Sequence, residues 1–351
     1  MLELKKSLTK VLLLACIVLV FAALSGCGED KPILNVYNWG DYIDEGVLEL
    51  FEEQTGIKVV YSTFEMNEDM YTKIKSSQGD SYDVIIPSDY MIIKMKNEGM
   101  LAKIDKSKLS NYDLIDKTFE ENTYDSGNEY SVPYMWGTVG IVYNTEMVKE
   151  KVDSWSILWD EKYSGQIFMM DSVRDSIGIT LKLLGYSLNS TNDAELEAAK
   201  QKLIEQKPLV ISYTGDQVKD QMIAGEGALA VVYSGDAITI REKNENIEYA
   251  VPKEGSNIWV DAMCILESSP HKEEAHKFID FMCSTEIAVK NREYINYSTP
   301  QSEVYEELPD EIKNDPTQYP SDEVIARCEY FDDPSDKISK YDTIWTEVLA
   351  N

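Results

Sequence analysis

Ile33-Leu34-Asn35-Val36-Tyr37 is a short apolar run of strand composition, and it opens an alternation that decides the fold. A turn carrying Trp39-Gly40-Asp41-Tyr42 follows it. Val47, Leu48 and Phe51 then share a helical face, with Gly56 as the stop. Ile57-Lys58-Val59-Val60-Tyr61 reads as the next strand, a helix runs through Met70 and Ile74, and Tyr82-Asp83-Val84-Ile85-Ile86 reads as a buried strand. Pro87-Ser88-Asp89-Tyr90 turns into a helix that ends near Gly99. This β-α-β-α-β-α order predicts a mainly parallel, doubly wound sheet, class α/β. Open α/β sheets bind ligands beyond the carboxyl ends of their strands. Trp39 to Tyr42 and Ser88 to Tyr90, distant in sequence, are therefore expected to face one crevice.

A second α/β region follows Pro133-Tyr134-Met135-Trp136-Gly137-Thr138. It is expected to hold a strand at 139–144, the segment 166–175, a helix at 194–205 and a strand at 229–233. Ile258-Trp259-Val260-Asp261 begins a further apolar run, and a helix at 271–282 comes next. The sequence has no internal repeat and no Gly/Ser linker. Two lobes without a linker imply a chain that crosses between them several times, making a hinge over a cleft.

At the amino end, Lys5, Lys6 and Lys10 precede an apolar run at 11–24. That run falls short of the roughly 20 residues a bilayer-spanning helix needs. Leu24-Ser25-Gly26-Cys27 closes it and resembles a lipobox. Residues 1–26 are thus expected to be a lipoprotein signal peptide, with Cys27 lipidated and the mature chain anchored to the outer face of the cell membrane. An ordinary signal peptide with a stray cysteine is the alternative. The formal net charge of −30 disfavours nucleic acid and attracts cations over long range, although acidity also serves solubility. Cys264, Cys283 and Cys328 show no metal-like spacing. Cys264 reads as a buried small hydrophobe, and a disulfide among the three stays open.

Enzymatic chemistry finds little support. His271 and His276 are the only histidines, and their spacing of five puts them on different faces of a polar helix, where both are expected to be solvated. No phosphate-binding, nucleophile-elbow or dinucleotide motif occurs, and no cofactor is implied. The aromatic and acidic residues at strand ends say more. An alkylamine is charged at neutral pH, and burying that charge is costly unless a carboxylate accepts its hydrogen bonds. Ring faces add about 0.5–2 kcal/mol each. Asp41 between Trp39 and Tyr42, and Asp261 near Trp259, combine these chemistries. Each motif alone also fits a core tryptophan or a capping aspartate.

Those residues resemble the spermidine/putrescine-binding proteins of polyamine ABC importers, and the resemblance covers essentially the whole mature chain. It rests on Tyr37-Asn38-Trp39-Gly40-Asp41-Tyr42, Thr55-Gly56-Ile57-Lys58-Val59, Pro87-Ser88-Asp89-Tyr90 and Lys103-Ile104-Asp105-Lys106-Ser107-Lys108-Leu109. It continues through Val132-Pro133-Tyr134-Met135-Trp136-Gly137, Ser154-Trp155-Ser156-Ile157-Leu158-Trp159, Pro252-Lys253-Glu254-Gly255, Ile258-Trp259-Val260-Asp261 and Tyr297-Ser298-Thr299-Pro300. It implies a two-lobed periplasmic-binding-protein-like fold of type II, with 32–137 plus 260–305 as one lobe and 138–259 plus 306–351 as the other. It implies a polyamine ligand, an ABC permease as partner and a monomer without catalysis. Trp39, Asp41, Tyr42, Ser88 and Tyr90 match positions lining the site, with Gly40 among them. Asp261 matches the carboxylate gripping one amine, Trp259 and Tyr297 match aromatic contacts, and Asp175 matches an acidic contact toward the other end.

Three departures bear on ligand length. Ser172 stands where a second carboxylate is expected, with Asp171 one position away; Tyr233 replaces a tryptophan; Phe331 replaces an amide. On a strand Asp171 and Ser172 would point to opposite faces. Fewer acceptors at one end disfavour a third ammonium, so putrescine is expected to bind at least as well as spermidine. Another solute on the same fold (a sugar, thiamine or iron), a polyamine-sensing adaptor and a secreted carboxylate-dependent hydrolase are the alternatives.

Overall fold

A computed structural model describes residues 31–77, 81–120, 122–332 and 337–351. The signal-peptide and Cys27 expectations lie outside the described residues. Strand β1 (Ile33–Trp39) runs parallel to β2 (Lys58–Phe64) on one side and β3 (Val84–Ile85) on the other. Helix α1 (Glu45–Thr55) connects the first two; Asp44 caps it by accepting the Gly46 N–H at 2.9 Å. Gly56 ends it at φ 72°, where a side chain would be strained. Helix α2 (Asn67–Ser76) leads to β3, and α3 (Asp89–Asn97) leaves it. The β3 ladder is shorter than the apolar run suggests. Its flanks still follow β1, with Asp83 N–H donating to the Asn35 carbonyl and Ile86 N–H to that of Tyr37.

Two long strands join the halves of the molecule. The first is β4 (Ser131–Asn144), and the second is β9 (Ile258–Ile265). Strand β9 pairs antiparallel with β3 and with the first part of β4. At Thr138 that pairing ends opposite Ile258, and at Val139 β4 takes up new partners. These are β7 (Leu229–Tyr233) and β8 (Ile247–Ala250), both antiparallel. Next to β7 lie β5 (Ile167–Met170) and then β6 (Val210–Thr214), each parallel to its neighbour. Parallel order thus belongs to the outer strands of each half, and every antiparallel pair includes β4 or β9.

The sequence reading starts a strand only at 139, whereas β4 begins at Ser131. Almost the whole strand is buried, so no polar alternation marks it. Pro133 lacks an N–H, and the ladder absorbs it in a register shift between Pro133 and Met135. Further on come α4 (Val173–Leu183), α5 (Asp193–Gln206), α6 (Val218–Ile223), α7 (Ser234–Lys243) and α8 (Lys272–Met282). The chain then returns to the junction, where Glu329 N–H donates to the Ser256 carbonyl and Ile258 N–H to that of Glu329.

One expectation for α8 is corrected. His276 is buried, not solvated: its Nε2 accepts the Asp105 N–H at 2.9 Å, which requires Nδ1 to carry the proton donated to the Lys272 carbonyl. The side chain pins the 105–108 loop to the helix. Cys264 and Cys283 are buried free thiols, and Cys328 is a partly exposed one.

Candidate ligand-binding cleft

Asp261 lies on β9 opposite Met135 of β4, with Ser88 bridging to it from the end of β3. Strand alternation puts Asn257, Trp259 and Asp261 on one face. The Tyr42 hydroxyl donates to Asp261 Oδ2 at 2.8 Å. Tyr42 is itself held at its carbonyl by Asn38 Nδ2 at 3.1 Å and by the Tyr134 hydroxyl at 2.9 Å. The other oxygen, Asp261 Oδ1, is buried and receives no hydrogen bond from the described residues. Burial pushes the Asp261 carboxyl up to about 6, against the lowering effect of Ser88 and Tyr42.

Rings enclose this carboxylate. Tyr297 meets Trp259 edge-on at 5.0 Å and Tyr42 at 5.7 Å, and Tyr233 meets Trp259 at 5.8 Å. Trp259 Nε1 is likewise buried without an acceptor among the described residues. Tyr297 rests against Gly235, where an added Cβ would stand 1.7 Å from the ring. Only glycine permits this contact, which brings α7 against the aromatic wall.

A second carboxylate belongs to α4. Asp175 accepts from Ser172 Oγ at 2.7 Å, the Tyr233 hydroxyl at 3.0 Å and Asn257 Nδ2 at 3.2 Å. Burial raises its carboxyl, and these three donors oppose the rise. Ser172 is the N-cap of α4, with its Oγ also accepting the Asp175 N–H at 3.3 Å. It supports the carboxylate rather than standing in for one. Asp171 is exposed beyond β5, so the strand argument about its facing does not apply.

The remaining residues extend the same region. Asn67 Nδ2 donates to Ser88 Oγ and to the Tyr90 hydroxyl, each at 3.1 Å, and that hydroxyl donates to Glu68 Oε1 at 2.9 Å. Phe331 is buried, 6.3 Å from the Tyr90 ring, with the Arg174 guanidinium 4.5 Å over its own ring. Trp39 is half-buried against Phe64 at 4.5 Å. Gly40 and Asp41 are exposed, Asp41 at φ 50°.

The structure therefore gathers Tyr42, Ser88, Asp175, Tyr233, Trp259, Asp261 and Tyr297 into one contiguous set. Tyr90 and Phe331 adjoin it, while Gly40, Asp41 and Asp171 face solvent. Asn67, Asn257, Gly235 and Arg174 went unnoticed in the sequence. Asn257 could have been found, since it precedes Trp259 by two on the same strand face. Chemically the set offers buried carboxylates among ring faces, an arrangement that accepts ammonium N–H groups and flanks an alkyl chain. Among the described residues no cluster of His, Cys, Asp or Glu could hold a metal ion.

Two α/β halves joined by long crossing strands, with a slot of rings and carboxylates at the junction, define a type II solute-binding protein. The chain belongs to the bacterial extracellular solute-binding protein family, whose model matches residues 47–320. It is 37% identical to the spermidine/putrescine-binding periplasmic protein of Escherichia coli K12, covering 96% of this chain and 97% of that one. A putative spermidine/putrescine ABC transporter from Listeria monocytogenes is similar in structure, with TM-score 0.86 and 43% identity over 90% of this chain and 98% of that one. The spermidine/putrescine ABC transporter substrate-binding protein of Streptococcus pneumoniae gives TM-score 0.80 and 42% identity, over 91% and 99%.

Proposed function

We propose that this protein captures a polyamine outside the cytoplasm and delivers it to the permease of an ABC importer. It acts as a monomer without catalysis and is held to the membrane by lipidated Cys27. The lobes that close on the ligand are 32–137 plus 260–305 and 138–259 plus 306–351. Asp261 carries the reading, because its buried Oδ1 has no hydrogen-bond donor among the described residues and lies within an aromatic enclosure. A carboxylate in that condition calls for a cationic hydrogen-bond donor. Asp175, toward the Tyr233 side, offers a second ammonium an acceptor, while Trp259, Tyr297 and Tyr42 flank the methylenes between. Putrescine is the favoured cargo.

Calorimetry with putrescine and spermidine tests this. Putrescine is expected to bind at least as tightly, and a preference for spermidine of about a hundredfold would refute the choice of cargo. No heat with either ligand would refute polyamine capture altogether.

A further inference from the structure

Beyond Tyr297 the cleft meets a charge that the polyamine reading does not use. Lys219, at the start of α6, reaches Asp236 Oδ1 at 3.5 Å and Asp216 Oδ1 at 3.8 Å. The Lys219 and Asp236 side chains are only 26% and 14% exposed, so this pair is partly withdrawn from water. Asp236 sits on α7, one residue after the Gly235 that packs on the Tyr297 ring, and Tyr297 opposes the rise that burial imposes on its carboxyl. Contact runs from Asp261 through Tyr42 and Tyr297 to Gly235, whose neighbour Asp236 pairs with Lys219. Asp41, one residue before Tyr42, adds its negative field to the same lysine.

We infer that Lys219 is a resident cation that closes this end of the cleft and restricts its cargo to ligands with two ammonium groups. The inference rests on the polyamine reading and names the class of ligand within it. Asp175, Asp261 and Asp236 are joined through Tyr233, Trp259, Tyr297 and Tyr42, and Lys219 already pairs with the last of the three. Arg174 stands beyond Asp175 over Phe331, so the far end is bounded by a cation too. A diamine can pair with Asp261 and Asp175 without displacing either resident cation. A third ammonium extended toward Asp236 and Asp41 would have to displace Lys219 or lie beside it, and like charges this close in a partly desolvated site repel strongly. Length selection then comes from an occupied acceptor, not from a wall.

Lys219→Met removes the charge and keeps most of the side chain's bulk. The affinity for spermidine relative to putrescine is expected to rise about tenfold in this variant, and Lys219→Arg is expected to keep the parent ratio. Lys219→Gln, which still offers Asp236 a hydrogen bond, should show the same rise and serves if the methionine variant melts early. A ratio unchanged within about twofold in a folded, charge-free variant would overturn the inference, leaving polyamine capture standing. Failure of the parent protein to bind either ligand is a different result; it would overturn polyamine capture and this inference with it.

Discussion

Asp261 and Asp175 are both aspartates buried at the junction, and burial pushes both carboxyl groups up. Their surroundings differ. Asp175 stands at the start of a helix with hydroxyl and amide donors on both oxygens, supplied by Ser172, Tyr233 and Asn257. Asp261 stands mid-strand, with the Tyr42 hydroxyl on one oxygen and the other unserved among the described residues. A buried polar group without a partner costs about 1–3 kcal/mol, more when charged. The free protein therefore carries an unrelieved penalty at Asp261, whereas at Asp175 three donors offset part of the cost of burial. This division assigns affinity to the first carboxylate and orientation of the second ammonium to the other.

The largest consequence is a split between binding and stability. In Asp261→Asn the ligand loses its anionic partner, and polyamine affinity should fall by about a hundredfold or more. The same change removes a buried charge whose pKa lies near 6 against 3.8 for an ordinary aspartate. At roughly 1.36 kcal/mol per unit, the free protein should gain on the order of 2–3 kcal/mol at pH 8 and melt a few degrees higher. Asp175→Asn should lower the melting temperature, because the new amide opposes donors already pointing at it. Calorimetry and thermal melts read both quantities, and shifts of the same sign at the two positions would break the comparison.

Protonation gives a smaller effect with a defined sign. Asp261 must be ionised to hold an ammonium, and the amine itself stays charged throughout this range. Affinity should therefore drop about tenfold between pH 8 and pH 5, as the carboxylate fills through its value of about 6. The groups facing it are Tyr42, Tyr297 and Asp89. Burial pushes both tyrosines and Asp89 up, disfavouring the charged form of each. Stability of the free protein moves the other way. A carboxyl raised on folding contributes stability below its unfolded value near 4, and that contribution is lost as pH rises through about 6. Asp236 also lies near 6, pushed up by burial against the pull of Lys219. Asp261→Asn separates the two, since the Asp261 part of the affinity profile should flatten in it.

What the sequence discloses follows the same division. Trp259 and Asp261 are legible because they stand two apart on one strand, where period-two geometry shows what shares a face. The alternation from Ile33 to Gly99 is legible because caps, apolar spacing and glycine stops are local signals. The role of Ser172 is not. A serine after a strand reads as a lost carboxylate until the helix beginning beside it shows the hydroxyl serving Asp175. His276 on its polar helix and Lys219 beside the cleft are hidden for a similar reason. Their partners, Asp105 and Asp236, are brought to them by tertiary packing that no local pattern encodes. Strand β4 hides its length because burial on both faces erases the alternation that would reveal it.

The smallest effect offers the sharpest discrimination. Tyr233→Phe removes one of the donors to Asp175 and keeps the ring against Trp259. Ser172 and Asn257 continue to hold the carboxylate, and a ligand ammonium can approach the lone pair that is released. Affinity should thus weaken by only about threefold, less than a full hydrogen bond to a charged group is worth. Tyr42→Phe makes the matched change at Asp261 and deletes the hydroxyl from Oδ2, so its loss should be several times larger. A Tyr233→Phe loss equal to or greater than the Tyr42→Phe loss would mean that Asp175 depends on its donors as heavily as Asp261. The two carboxylates would then share the binding energy, and the contrast between a satisfied and an unsatisfied acid would not govern this cleft.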